Sequence, residues 1–295
     1  MYRKEESLIK DFLHRLHVED KSTASDLPKI SIITPSFNQG QFLERTILSV
    51  LNQDYPHLEY IVMDGGSTDG SVEIIKKYEK YLCYWQSKPD RGQSDAIDNG
   101  FKMAGGDIFA YLNSDDVYWP GALNVVGNHF KKYPYAEIIY GDSFVIDEHE
   151  SILREKRSVR FSKWGFLTDA FDLHQASIFW RKPIYHKVQG LDRSLHLTMD
   201  FDLWIQFYQA GARFLHIPRT LSCYRHHHHT KSNTQKAEQK TELDRIKRNR
   251  IQINVNSRKI IFLRKIMRLR TLGFHILSGH FCYLLRSAGR NYSKT

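Results

Sequence analysis

Two short apolar runs end in carboxylates, and this pairing constrains the fold more than any other feature of the chain. Leu58 to Met63 runs into Asp64-Gly65-Gly66-Ser67-Thr68-Asp69, and Ile108 to Leu112 runs into Asn113-Ser114-Asp115-Asp116. A short apolar run followed by polar residues reads as a buried parallel strand ending in a loop. Ligands of open α/β sheets collect beyond the carboxyl ends of such strands. Two acidic strand ends in one sheet therefore point to a site for a cation and the polyphosphate it carries. Carboxylates supply the hard oxygen ligands that Mg2+ or Mn2+ prefers. Either loop alone reads equally well as a solvated turn, since Asp, Asn, Gly and Ser dominate turns. Together, and in this order, they favour a site.

The surrounding pattern supplies the rest of the sheet. Ile30-Ser31-Ile32-Ile33 reads as a strand stopped by Pro35. Helices are expected over Gln41 to Asn52, Ser71 to Tyr81 and Gln93 to Ala104. Strands alternating with helices at this pace give a parallel sheet with crossovers. The second half differs. Glu137 to Ile146, Arg154 to Phe161 and Ala176 to Trp180 read as strands without regular helices between them. Asp200 to Ala210 is an expected helix ended by Gly211, followed by short strands over Arg213 to Ile217 and Leu221 to Arg225. Before the core, Ser7 to His17 carries an apolar stripe at helical spacing. The expected units are thus residues 1–28 as a lead-in helix and linker, 29–232 as the main domain, and 233–295 as a basic helical extension.

Composition narrows the function classes. At 295 residues the chain can bury a full core. Cys83, Cys223 and Cys282 are widely spaced, which gives neither a disulfide framework nor a zinc site, and each is expected to act as a small buried hydrophobe. Met1 to Asp20 is charged throughout and unlike a secretory signal. The best spanning candidate, Thr271 to Leu285, is too short and holds His275 and His280. The net charge of +10 concentrates between Arg245 and Arg270, which calls for an anionic partner, acidic lipid or nucleic acid.

Taken together, Ile32 to Asn38, the Asp64 to Gly70 turn, Asp90 to Ala96, Asn113 to Asp116 and Met199 to Trp204 resemble, in this order, the motifs of family-2 glycosyltransferases. The match spans residues 29–232 and is similar to the bacterial type that builds surface polysaccharides. It implies a GT-A fold, in which a Rossmann-like nucleotide-binding half with a mixed central sheet is fused to an acceptor-binding half. It also implies inversion of a nucleotide-sugar donor. By that resemblance Pro35, Ser36, Asn38 and Asp64 contact the base and ribose, and Arg91 and Asp95 continue the donor site. Asp115 is the metal-binding carboxylate of a DxD-like motif, flanked by Asn113, Ser114 and Asp116 on the donor. Asn113 stands where many relatives carry Asp, which lowers the charge around the ion.

Asp200 matches the family's catalytic base, with Asp202 the fallback; both also read simply as acids favoured at a helix start. Tyr224 to Ser232 contains a histidine tract that reads as a metal tract or a solvated loop. The resemblance makes His227 the matched residue there, with Arg225 and Lys231 as anion contacts. His174, Gln175, Asp202 and Trp204 fall on the acceptor side.

The expectation is an enzyme dependent on Mn2+ or Mg2+, moving a sugar from a nucleotide-diphosphate donor to a hydroxyl of a glycan or lipid-linked glycan. A processive synthase is disfavoured, because no QxxRW motif follows Trp204. A polyprenyl-phosphate sugar transferase stays open, as it shares the fold. No nucleic-acid partner is expected, since no base-reading module accompanies the charge. Ile260, Leu263 and Met267 share one face of the basic tail, with Phe262, Ile266 and Leu269 beside it. That stripe predicts peripheral attachment, from the cytoplasm, to the anionic inner face of the cytoplasmic membrane. The alternative is a helix packed on the catalytic domain or on a second copy, giving a homo-oligomer.

Overall fold

The computed structural model describes residues 2–16, 26–167, 173–188, 190–228, 235–251 and 258–277. Its centre is a nine-stranded sheet. β1 (Ile30–Ser36), β2 (Leu58–Asp64), β3 (Tyr84–Ser87) and β4 (Ile108–Tyr111) run parallel in the order β3-β2-β1-β4. The crossovers are α2 (Gly40–Leu51), α3 (Ser71–Tyr78) and α4 (Gln93–Met103). Leu43, Ile47 and Val50 recur at helical spacing and put the apolar face of α2 on the sheet. β1, β2, β4 and the three crossover helices therefore form as the alternation predicts.

Pro35 lies inside β1 instead of ending it. Pairing with β4 stops at Ile33, so the missing N–H falls where β1 has only β2 beside it. β3 had no sequence signal, being a short, partly exposed edge strand.

The other half is mixed. β5 (Val117–Tyr118) and α5 (Ala122–Lys132) precede β6 (Ile138–Ile146), β7 (Ile152–Lys156) and β8 (Ile178–Arg181). β8 is antiparallel to both β4 and β6, which joins the two halves into one sheet. α5 was missed by the sequence reading, although Leu123, Val126 and Phe130 form its buried stripe. β7 is shorter than expected and pairs only with β6. α6 (Lys163–Leu167) and α7 (Lys182–Lys187) are short, and α8 (Met199–Gln209) ends at Gly211, whose φ of 81° is left-handed. The two strands expected after it are one, β9 (Phe214–Arg225). Its pairing with β6 shifts register between Tyr140↔His216 and Asp142↔Thr220, and the bulge takes up Pro218.

Both ends join the core. α1 (Arg3–His14) starts earlier than predicted and buries Ile9 and Leu13 against Val117, Phe144, Ile146 and Cys223. Asn52 Nδ2 donates to the Phe12 and Arg15 carbonyls at 2.6 and 2.9 Å, satisfying the helix end. After β9, α9 (Lys236–Ile246) continues into a π-helical turn, Lys247–Ile251, and Ile246 enters the same apolar cluster as Trp204 and Phe207. The expected boundary near residue 233 is therefore not where the packed unit ends. α10 (Arg258–Leu277) lies against α6, with Met267 Sδ 3.9 Å from Ser162 Oγ. Cys223 is buried as expected but Cys83 is exposed; Cys282 lies outside the described residues.

Candidate active site

Beyond the carboxyl ends of β1, β2 and β4 opens a cleft of about 800 Å³. Its walls include Pro35, Ser36, Asn113, Ser114, Asp115 and Asp116, together with His174, Gln175 and Asp200. Ser36 Oγ, Gln39 Oε1 and Gln175 Oε1 are buried polar atoms of cleft residues, and among the described residues none finds a hydrogen-bond partner. Buried polar atoms rarely stay unpaired, so these mark where a polar ligand would bond. Gln175 Nε2 donates to the Tyr111 carbonyl at 2.7 Å, which fixes the amide with its oxygen left over.

The acidic loop after β4 is held from several directions. Thr46 Oγ1 donates to the Ser114 and Asp116 carbonyls at 2.9 and 2.8 Å. Gln93 Nε2 donates to Asn113 Oδ1 at 2.7 Å. Asp116 is 2% exposed and accepts the Arg225 backbone N–H at 2.9 Å. Burial, and then the charge of Asp115, push its carboxyl well above the usual range. Asp115 is the more open of the pair, and His227 Nε2 stands 3.0 Å from its Oδ2. The His227 ring packs against Phe42 with centroids 4.7 Å apart.

Arg225, predicted as an anion contact, is fully buried and does not line the cleft. Its Nε donates to the Asp115 carbonyl at 2.9 Å and its Nη1 to Glu150 at 2.8 Å, above the Phe42 ring. It is a strut between β9 and the acidic loop, because in this interior position the guanidinium needs internal acceptors. Lys231 lies outside the described residues.

Asp64 reaches the strand end as expected, but its carboxylate builds the turn. It accepts the Gly66 and Ser67 N–H groups at 3.1 and 2.9 Å and the Ser67 and Ser87 hydroxyls at 2.6 Å each. The glycines beside it, Gly65 and Gly66, face the cleft in its place. Asn38 also stays out of the cleft wall. At φ 51° it donates its N–H to Ser67 Oγ and accepts the Thr68 N–H, stapling the β1 loop to the β2 loop. Between them Phe37, within the Pro35 to Asn38 turn that the resemblance places on the nucleotide, is 61% exposed and lines the cleft.

Arg91 is exposed and outside the cleft wall. Asp95 serves a different partner, Arg193, whose Nη1 is 2.5 Å from its Oδ1. The same guanidinium binds Asp98 and Asn99, tying the 191–195 loop to α4. A lone Arg193 between Asp192 and Ser194 carries no motif that would have revealed it.

Asp200 lines the cleft in the first turn of α8, with Oδ1 accepting the Phe201 N–H at 2.7 Å. The N-cap position belongs to Thr198. Asp200 also acts on the buried Tyr111, whose phenol is pushed up by burial and then by that charge. Asp202 and Trp204, expected on the acceptor side, do not line the cleft. Asp202 is 1% exposed and held by Arg250, with Nη2 at 2.9 Å from its Oδ2, and by Gln206. Trp204 is core, 5.5 Å from the Trp180 ring. Glu242 of α9 accepts the His196 and Leu197 N–H groups and the Thr198 hydroxyl, and Gln239 reaches the cleft wall. Only tertiary packing brings α9 there.

The donor set fits a divalent cation bound jointly with a diphosphate. Asp115 offers the hard carboxylate oxygen that Mn2+ or Mg2+ takes, and His227 brings beside it an imidazole nitrogen, a ligand better suited to a transition metal than to Mg2+. Among the described residues no group of three or more His, Cys, Asp or Glu is arranged to hold an ion alone.

Residues 31–190 match glycosyl transferase family 2. An uncharacterized glycosyltransferase of Rickettsia prowazekii is 29% identical over 192 residues, covering 63% of this chain and 60% of that protein. The chain thus spans less than two thirds of that relative. The S. aureus TarS 1-349 structure in complex with UDP-GlcNAc superimposes with a TM-score of 0.61 at 16% identity, covering 84% of this chain and 72% of that one. The Pyrobaculum calidifontis mannosyltransferase PcManGT, in complex with GDP-Man and Mn2+, gives 0.53 at 17% identity, covering 76% and 64%. At these identities the structural likeness establishes the GT-A-like fold. With the family match extending over more than half of the sequence, the chain belongs to glycosyl transferase family 2.

Proposed function

We propose that this protein transfers a sugar from a nucleotide-diphosphate donor to a hydroxyl of a glycan or lipid-linked glycan, with inversion, in the making of cell-surface polysaccharide. The observation that carries the reading is one cleft holding both Asp115, beside His227, and Asp200 at the start of α8. Asp200 takes the proton of the acceptor hydroxyl as its oxygen bonds to the sugar C1 and the bond from C1 to the diphosphate breaks. Attack opposite the leaving group inverts C1. Asp115 and His227 would hold a divalent cation, which when bound supplies charge neutralisation at the leaving diphosphate. Ser36, Phe37 and the glycines at 65 and 66 offer the nucleotide a polar atom, an apolar ring and close backbone.

The UDP-GlcNAc and GDP-Man complexes of the two structural relatives support a nucleotide sugar as donor, and the Mn2+ of one supports the cation. A panel of nucleotide sugars with Mn2+, read by thermal stabilisation and by nucleotide release, tests the reading. At least one should raise the melting temperature and be turned over, and Asp115→Ala should lose both responses while melting like wild type without ligand. Equal nucleotide binding with and without Asp115 would overturn the metal assignment.

A further inference from the structure

α10 has two apolar faces, and among the described residues only one of them is covered. Ile260 is buried and Met267 half-buried where the helix meets α6. The sequence stripe of Ile260, Leu263 and Met267 therefore faces the protein. On the other side Ile261, Phe262, Ile266, Leu269, Leu272 and Ile276 are all exposed. Phe262, Ile266, Leu269 and Ile276 recur at spacings that share one helical face, and Ile261 and Leu272 flank it. An exposed apolar face of this extent marks an interaction surface.

Charge decides what covers it. The twenty residues of α10 include Arg258, Lys259, Arg264, Lys265, Arg268 and Arg270 and no Asp or Glu. Arg258, Lys259, Lys265, Arg268 and Arg270 are exposed. A second copy placed face to face would oppose these cations with the same cations and no acids. A layer of anionic headgroups over acyl chains complements both parts: the apolar residues enter the boundary and the long basic side chains reach up to the phosphates. Among the described residues no helix is long and apolar enough to cross a membrane, so α10 would lie along the surface.

We propose that the outward face of α10, centred on Phe262 and Leu269, docks the protein on an anionic lipid surface. The inference goes beyond the sugar-transfer reading and is measured without any donor, so the two can fail separately. Point substitutions are the suitable probe, because deleting the chain from α9 onward would also strip Ile246 and Arg250 out of the packed domain.

In flotation, full-length protein should rise with vesicles of phosphatidylcholine and phosphatidylglycerol at about 0.1 M salt and be released at about 0.5 M, where screening is stronger. Phe262→Ser with Leu269→Ser should lower the bound fraction on the order of tenfold. Its melting temperature and nucleotide binding should not change, since both positions are exposed. Binding to pure phosphatidylcholine as strong as to the anionic vesicles would overturn the proposal, as would equal flotation of variant and wild type. A wild-type dimer that never floats and that the same substitutions dissociate would overturn it too, giving the face to a second copy.

Discussion

His227 Nε2 lies 3.0 Å from Asp115 Oδ2, joining the end of β9 to the acidic loop after β4 across 112 residues of sequence. The contact brings an imidazole to the one carboxylate of that loop that remains partly open, its side chain 20% exposed. Arg225, two residues before His227, binds the same loop through the Asp115 carbonyl and the Asp116 carboxylate. The loop is thus anchored twice, and His227 is the anchor that faces the carboxylate.

His227→Ala should therefore weaken Mn2+-dependent nucleoside diphosphate binding by roughly 10- to 100-fold, the range for removing a group that ligates or orients a metal ligand. The melting temperature without ligand should drop only modestly, because Arg225 still holds the loop. Calorimetry with UDP and GDP, each with and without Mn2+, reads this directly. A variant that binds as wild type would leave His227 as packing against Phe42.

Asp200→Asn should keep donor binding and lose transfer by on the order of 10²–10⁴, the usual contribution of a general base. The two faces of the α8 start make this a sharp comparison. Asp202 does not line the cleft, so Asp202→Asn should act on stability first. Near wild-type turnover in the Asp200 variant would place the base elsewhere.

Glu242 gives stability a pH dependence. Burial raises its carboxyl, but the Thr198 hydroxyl and the His196 and Leu197 N–H groups outweigh this and hold it below its ordinary value. A depressed folded value means that the stabilisation is present above the unfolded value, near 4.3, and fades as pH falls through the folded one. Glu242→Gln should thus cost about 1 kcal/mol at pH 7. The gap between variant and wild type should narrow as pH falls below the unfolded value and close once the folded carboxyl is protonated as well. Urea melts at neutral and acid pH measure it; a gap that is constant or widens in acid contradicts the assignment.

Arg250→Ala should destabilise by about 3 kcal/mol, because it leaves the buried Asp202 carboxylate without its cation. Adding Asp202→Asn should recover part of the loss by removing the uncompensated charge. If the double variant is less stable than Arg250→Ala, the pair is held mainly by packing. Thermal melts of the four proteins complete the cycle.

The sequence by itself determined β1, β2 and β4 of the parallel half, its crossover helices and the positions of the acidic loops. Apolar runs ending in acids mark buried strands whatever follows them, so Asp64, Asp115 and the cleft above β1, β2 and β4 were legible. The apolar stripe of α8 similarly placed Asp200 at a helix start. Tertiary structure decided what each polar side chain does there. Asp200 and Asp202 belong to one motif, yet two residues turn a helix by about 200°. One therefore lines the cleft, and the other meets Arg250 from 48 positions downstream. Asp64 looked like a ligand contact, but besides its own turn it takes the Ser87 hydroxyl, which reaches it only when β2 and β3 pair. Arg225 carries a charge that suggests an anion in any sequence, and burial beside Glu150 made it internal. The tail was read as a separate extension because its charge is local, whereas the burial of Ile246 and the bonds of Glu242 depend on surfaces formed by residues far away in sequence. Residue type and period are properties of a segment; the direction of a side chain and its partners are set by what the rest of the chain packs beside it.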